Sequence, residues 1–196
     1  VEDSLRPGVI KLVTRDPATD QDIRVQESLN GQPLTDAAIT YRADKTSTMT
    51  VLDLTRPGVA RVIERDDSGR EQTAQEYFLP GGQTAEQIVS AGELLSTQEH
   101  TYHDEDPAVP AGLVYVVTHE PSRPNTVRTT VKAEVYGREI GGYEQSVDSI
   151  SGEALITAVW TVEYGENGQS TVQVTNGVRA GVATTLERDV LGRETS

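Results

Sequence analysis

The clearest periodicity lies near the C-terminus. From Ala154 to Tyr164, the positions Ala154, Ile156, Ala158, Trp160, Val162 and Tyr164 alternate with Leu155, Thr157, Val159, Thr161 and Glu163. A period of two with one apolar side predicts a half-buried antiparallel strand, with Trp160 in its core face. Asn167-Gly168 follows, then an alternating stretch from Ser170 to Thr175, then Asn176-Gly177 and a third stretch from Val178 to Asp189. Asn-Gly supplies the positive φ angles of a type I′ hairpin turn, so the pattern predicts a three-stranded meander.

The same grammar recurs upstream. Gln21 to Leu29 alternates and reaches Asn30-Gly31, and Ala37 to Arg42 and Thr48 to Leu54 read as strands. Val59 to Asp66 faces Arg70 to Leu79 across Asp67-Ser68-Gly69, and Leu113 to His119 and Thr126 to Val135 follow. The spacing predicts roughly ten to twelve short strands. One segment is ambiguous. Thr84 with Gln87 resembles a capping box, and Ile88, Ala91 and Leu95 would share a helical face, but Gly92 interrupts it. The preferred expectation is a loop leading into a strand from Glu93 to His103.

Composition agrees with β structure. The chain has 196 residues, with 23 Thr and 23 Val, β-branched types suited to a pleated surface. Only 5% of residues are aromatic, including one Trp and one Phe, which argues against a large apolar core. Seventeen basic against 31 acidic residues leave a net charge of −14, which repels phosphate and argues against general nucleic-acid binding. Without cysteine there is no disulfide, thiolate metal site or thiol nucleophile. No run approaches eighteen apolar residues, so no membrane-spanning helix is expected. The start at Val1 without a leader, and the end just after Gly192-Arg193-Glu194-Thr195, suggest a fragment of a longer chain. A single all-β region over 1–196 is expected, with a soft boundary near 104–112, where Pro107 and Pro110 fall.

Candidate chemistry is sparse. His100, His103, Asp104 and Asp106 form the densest group of metal-ligand types, with His119 as a distant third imidazole. On a helix His100 and His103 would share a face; on a strand they point to opposite faces, leaving a solvated acidic loop. Asp16, Asp20 and Asp22 loosely resemble a calcium loop but lack its spacing and Gly, so an Asp-rich turn is the better account. No Gly-x-Ser-x-Gly elbow is present, and Gly81-Gly82 leads to no phosphate-loop Lys. No catalytic, cofactor-binding or metal-binding residue is assigned, and no cofactor is expected. Tyr102, Tyr115 and Tyr143 are the aromatics to watch for a ligand surface.

Self-comparison shows a repeat. Arg6-Pro7-Gly8-Val9 through Arg15-Asp16 matches Arg56-Pro57-Gly58-Val59 through Arg65-Asp66, fifty residues on. Arg179-Ala180-Gly181-Val182 through Glu187-Arg188-Asp189 follows the same register. Gly-Arg-Glu then occurs at Gly69, at Gly137 and at Gly192. The physical content is a strand, a turn whose Gly takes positive φ, and an Arg-led return strand.

The stretch from Arg188 to Thr195 resembles the repeat unit of the RHS/YD-repeat family, in which a Tyr-Asp pair precedes two variable residues and Gly-Arg. Here Arg-Asp stands in place of Tyr-Asp at Arg65-Asp66 and at Arg188-Asp189. The resemblance implies an array of hairpins that, in complete members, spirals into a hollow shell around a toxic segment. No motif matching the family's self-cleavage site is present, so no catalytic residue is carried over.

These readings lead to an all-β, antiparallel hairpin array, either an open meander or part of a YD-repeat β-shell. The expected role is a structural wall segment of a bacterial secreted or cell-surface toxin protein, without catalysis of its own. Its partners would be the rest of a longer chain or other toxin-complex subunits, with possible self-association of edge strands. The alternative is a free-standing secreted β-sandwich that binds carbohydrate or a protein partner. A metal-dependent hydrolase built on His100, His103 and Asp104 is the remaining outsider.

Overall fold

The computed structural model describes residues 6–148, 151–165 and 168–195. Among the described residues the fold is all-β apart from one short helix. The elements run β1 (Val9–Arg15), β2 (Asp22–Leu29), β3 (Gln32–Tyr41), β4 (Ser47–Asp53), β5 (Val59–Arg65), β6 (Glu71–Phe78) and α1 (Ala85–Ala91). They continue as β7 (Glu93–Tyr102), β8 (Leu113–His119), β9 (Thr126–Ala133), β10 (Glu139–Val147), β11 (Ala154–Tyr164), β12 (Ser170–Asn176) and β13 (Ala183–Arg188). Strand follows strand in chain order from β1 to β13, without a crossover. Short turns join most neighbours and return the chain alongside itself, whereas longer connections, one of them carrying α1, join β6 to β7 and β7 to β8. Two compact units divide within β7: one holds Gly8–Gln98, the other Glu99 onward together with Arg6 and Pro7.

In the first unit, alternation sets the two faces. One row crosses four strands as Ile39, Met49, Ile63 and Ala74, each opposite the next. Ile39, Ile63 and Ala74 in that row are buried, as are Ala37 and Val59 on the same face. The alternate face carries Ala60, also buried. Helix α1 packs on β4, β5 and β6, with its Ile88 fully buried.

This helix corrects the expectation of a loop over its residues, whereas the strand expected from Glu93 is present as β7. The Thr84 side chain accepts from Gln87 N and caps the first turn, while Gly92 N–H donates to Ile88 O and ends the last. Gly92 is thus a terminator, not an interior breaker. A Cβ at that position would collide with Ile88 O and Phe78 O. Seven residues would not hold as an isolated helix, so burial of Ile88 sustains it.

In the second unit, β11, β12 and β13 form the expected meander, with Trp160 opposite Val174 and Val172 between Val162 and Leu186. Trp160, Val162 and Val172 are buried together, with Val174 and Leu186 packed against them. A second cluster joins Tyr102, Val114 and Val116. Of the apolar face expected along all of β11, only Trp160 and Val162 are buried, whereas Ala154, Ile156 and Tyr164 are exposed. Between β10 and β11 the register shifts, Glu144 facing Ala158 and Gln145 facing Ile156, so Thr157 is an extra residue. That bulge breaks the period of two, and Leu155 and Ile156 are exposed.

The turns also differ in detail from expectation. Asn30 and Gly31 both take positive φ, +51° and +79°, as a type I′ turn requires. The Asn167-Gly168 turn falls partly outside the described residues, and Gly168 closes a turn by donating to Gly165 O. Asn176-Gly177 is not a two-residue turn. Asn176 ends β12 and its side chain accepts from the N–H groups of Val178 and Arg179, while Asn176 N–H donates to Val182 O. The strand expected from Val178 therefore begins only at Ala183.

Candidate functional site

The repeated sequence units fold as repeated structures. Strands β1 and β5 begin at Val9 and Val59 and end at Arg15 and Arg65, so their bounds coincide at the fifty-residue offset. Gly8, Gly58 and Gly181 each precede the strand start with φ near +80°: 81°, 83° and 79°. At Arg56-Pro57-Gly58-Val59, Val59 N–H donates to Arg56 O, closing a turn with Pro second and a positive-φ Gly third, the type II arrangement.

The downstream turn is built on an aspartate. Asp66 N–H donates to Arg70 O and Gly69 N–H to Asp66 O, giving a three-residue loop closed by a glycine at φ +87°. The Asp66 carboxylate accepts from Ser68 N, Ser68 Oγ and Arg70 N, and pairs with Arg70 Nε at 2.9 Å. At the other end of the chain, Asp189 accepts from Leu191 N, from Arg193 N at 2.9 Å and from Arg193 Nε at 2.7 Å, and Gly192 N–H donates to Asp189 O. Burial by itself would raise both carboxyls. The donors from Ser68 and Arg70 outweigh it at Asp66, as those from Arg193 and Leu191 do at Asp189, and both sit below the usual carboxylate range. The Asp16 turn lacks Gly-Arg, and Asp20 takes the positive φ in its place.

The arginine before each aspartate has its own place. Arg15 pairs across the hairpin with Asp22, Arg65 with Glu71 and Arg188 with Glu194. Ion pairs accompany the first two, Arg15 Nε to Asp22 at 2.9 Å and Arg65 to Glu71 at 3.5 Å. An arginine in this position thus has a carboxylate across the strand pair.

Arg188 reaches further. Glu139 on β10 accepts the Trp160 indole N–H at 2.6 Å and an Arg188 N–H at 3.1 Å, so one carboxylate joins side chains of β10, β11 and β13. Arg128 lies over the Trp160 ring at 5.5 Å and Arg138 over the Tyr164 ring at 4.7 Å. The Gly-Arg-Glu recurrence singled out Glu139, but nothing in the sequence tied it to Trp160 or Arg188.

The chemistry-bearing residues noted in the sequence fall apart in space. His100 is buried on β7, whereas His103 lies past the strand end with Nδ1 at 2.6 Å from Val109 O. His119 ends β8 and is exposed. Among the described residues no three His, Asp or Glu side chains form a group able to hold a metal ion. Asp16 accepts from Ala18 N and Thr19 N, and Asp20 and Asp22 both receive Arg15. Of the three tyrosines considered for a ligand surface, Tyr102 belongs to the core, where it is buried in one cluster with Val114 and Val116. Tyr115 and Tyr143 are half-buried.

An open groove of about 440 Å³ lies beside the start of α1, lined by Arg24, Asp36, Thr50, Leu52 and Glu86 among others. Its charges are largely used internally. Asp36 accepts from Arg24 Nε at 2.8 Å and from the Arg24 terminal nitrogen at 2.5 Å, and that hydrogen bonding holds its carboxyl below the usual range. The groove pairs its cation with its own anion and offers shape more than reactivity.

No protein-family model matches this chain, and no curated protein matches it.

Proposed function

We propose that the chain is a structural wall segment of an RHS/YD-type bacterial secreted or toxin protein, enclosing or presenting a cargo without catalysis of its own. The observation that supports this reading is the recurrence of one hairpin unit: positive-φ Gly, strand, Arg-Asp, then an Asp-clamped turn. Such units extend a sheet by addition, because each return strand satisfies one edge and presents another. A wall of this kind works through its backbone ladder, and surface charge keeps it from adhering to what it surrounds. A net charge of −14 suits that task and disfavours anionic partners.

The test is the intact mass of the natural polypeptide that contains these residues, followed by electron-microscopic imaging of that polypeptide. The expected result is a chain several times longer than 196 residues, with further Asp-x-x-Gly-Arg hairpins and a hollow particle. A natural product of about this length would sink the enclosure reading, and the free-standing binding module would replace it.

A further inference from the structure

Glycine follows asparagine three times in the chain, and two of those pairs lie wholly within the described residues. The fold treats them differently. Asn30 and Gly31 form a two-residue loop between β2 and β3, closed by Leu29 opposite Gln32. Both loop residues are exposed, and nothing lies within 4 Å of a Cβ built on Gly31. Among the described residues no hydrogen bond holds the Asn30 side chain or the Gly31 N–H. Asn176, in contrast, is half-buried at the end of β12 and paired with Ala158. Its side-chain oxygen accepts from Val178 N and Arg179 N at 2.9 and 2.8 Å. Gly177 N–H donates to Thr157 O at 2.9 Å, and a Cβ at Gly177 would strike the Ile156 carbonyl.

We propose that Asn30 is a site of spontaneous deamidation, with water as the reactant, and that the fold shields Asn176 from the same reaction. In this chemistry the Gly31 nitrogen gives up its proton and bonds to Asn30 Cγ. The bond from Cγ to the side-chain nitrogen breaks, and that nitrogen leaves with the proton as ammonia. The two groups are neighbours in one chain, so the attack is intramolecular, and glycine has no Cβ to obstruct its nitrogen. Water then opens the cyclic imide. Cleavage at Cγ leaves aspartate in an ordinary backbone; cleavage at the Asn30 carbonyl carbon leaves isoaspartate, whose backbone is one carbon longer. Nothing is oxidised or reduced. Aspartate tolerates positive φ, so that product keeps the turn closed, whereas isoaspartate lengthens a loop built for two residues and loosens the Leu29–Gln32 end of the hairpin. At Asn176 the attacking nitrogen is already bonded to Thr157 O and the side chain is clamped, so reaction there waits for the end of the β11–β12 ladder to open. The inference rests on turn geometry alone and is independent of the proposed function.

The test uses the unmutated chain, incubated at mildly alkaline pH both folded and in concentrated urea. Peptide mapping by mass spectrometry follows the exchange of amide for carboxyl at each asparagine, with fragmentation that separates aspartate from isoaspartate. In the folded chain Asn30 should convert roughly tenfold faster than Asn176 or more. In urea the two rates should come together, because each asparagine then precedes an unrestrained glycine. Equal rates in the folded chain, or a faster Asn176, would overturn the inference. A difference that persists undiminished in urea would do so as well, since the flanking residues and not the fold would then explain it.

Discussion

Asp66 and Arg70 hold one another at both ends of a three-residue loop: Arg70 N–H and Nε donate to the two carboxylate oxygens at 2.8 and 2.9 Å, and Arg70 O accepts Asp66 N–H at 3.0 Å. Asp189 and Arg193 repeat this relationship near the other end of the chain. A carboxylate that accepts backbone donors and a guanidinium together fixes the loop and the first residue of the return strand.

Replacing Asp66 by Ala should therefore lower stability by about 1–3 kcal/mol, since several donors lose their acceptor at once. Asp189→Ala should cost less, because Arg193 is 65% exposed against 30% for Arg70 and water replaces the lost pair. Urea midpoints of the two variants, measured side by side, check the order. The reverse ranking would contradict this account of the turn.

The same turns confer a dependence on acid. Asp66 and Asp189 lie below their ordinary values because donated hydrogen bonds and a paired arginine outweigh burial. Glu144 is lowered chiefly by its hydrogen bonds from Arg123. A carboxyl lowered by folding adds stability that is complete above its unfolded value, about 4, and is lost as pH falls through its folded value. The melting temperature should thus stay level near neutrality and drop below about pH 4, with a shallower drop in Asp66→Asn. A variant that follows the parent curve throughout would remove Asp66 from the explanation.

Gly142 lies opposite Trp160, and a Cβ there would meet both Thr129 O and the Trp160 ring. The indole occupies the space that a side chain on β10 would take. Gly142→Ala should displace the ring and destabilise by about 1–3 kcal/mol, as overpacking does. Trp160 is the single tryptophan, so its emission maximum should move to longer wavelength as the ring becomes wetter.

Glu139→Ala should remove the acceptor of the Trp160 N–H and the partner of Arg188 together, at a cost of about 1–3 kcal/mol. Glu139→Gln keeps a neutral acceptor but not the ion pair, so its stability should fall between the parent and Glu139→Ala. Equal losses in the two variants, by denaturant titration, would mean that charge alone matters at this position.

Gly58 and Gly69 separate two costs of adding a side chain. Both have positive φ, but a Cβ at Gly58 would run into Leu79 O and the Phe78 ring, whereas nothing lies within 4 Å of one at Gly69. Gly69→Ala should cost about 1–2 kcal/mol for the left-handed backbone alone. Gly58→Ala should cost more, and thermal melts of the pair measure the difference.

Much of the fold was legible in the residues because its determinants are local. Alternation of apolar and polar positions marked β11 from Ala154 to Tyr164 and β8 from Leu113 to His119, with the bounds found in the structure. Asn30-Gly31 announced its turn, and the Arg-Pro-Gly and Arg-Asp recurrences announced the repeated hairpin. A strand's period of two and a turn's need for positive φ are properties of neighbouring residues, so the sequence by itself determined them. Tertiary structure decided the rest. Helix α1 persists because Ile88 finds a sheet to bury against, and seven residues with Gly92 at their end carry too weak a local signal to announce it. Thr157 bulges through its pairing with the strand alongside. Glu139 meets Trp160 and Arg188 from strands 21 and 49 residues away. Which side chains meet across a sheet depends on the register of every intervening hairpin, and a one-residue shift in any of them exchanges the faces.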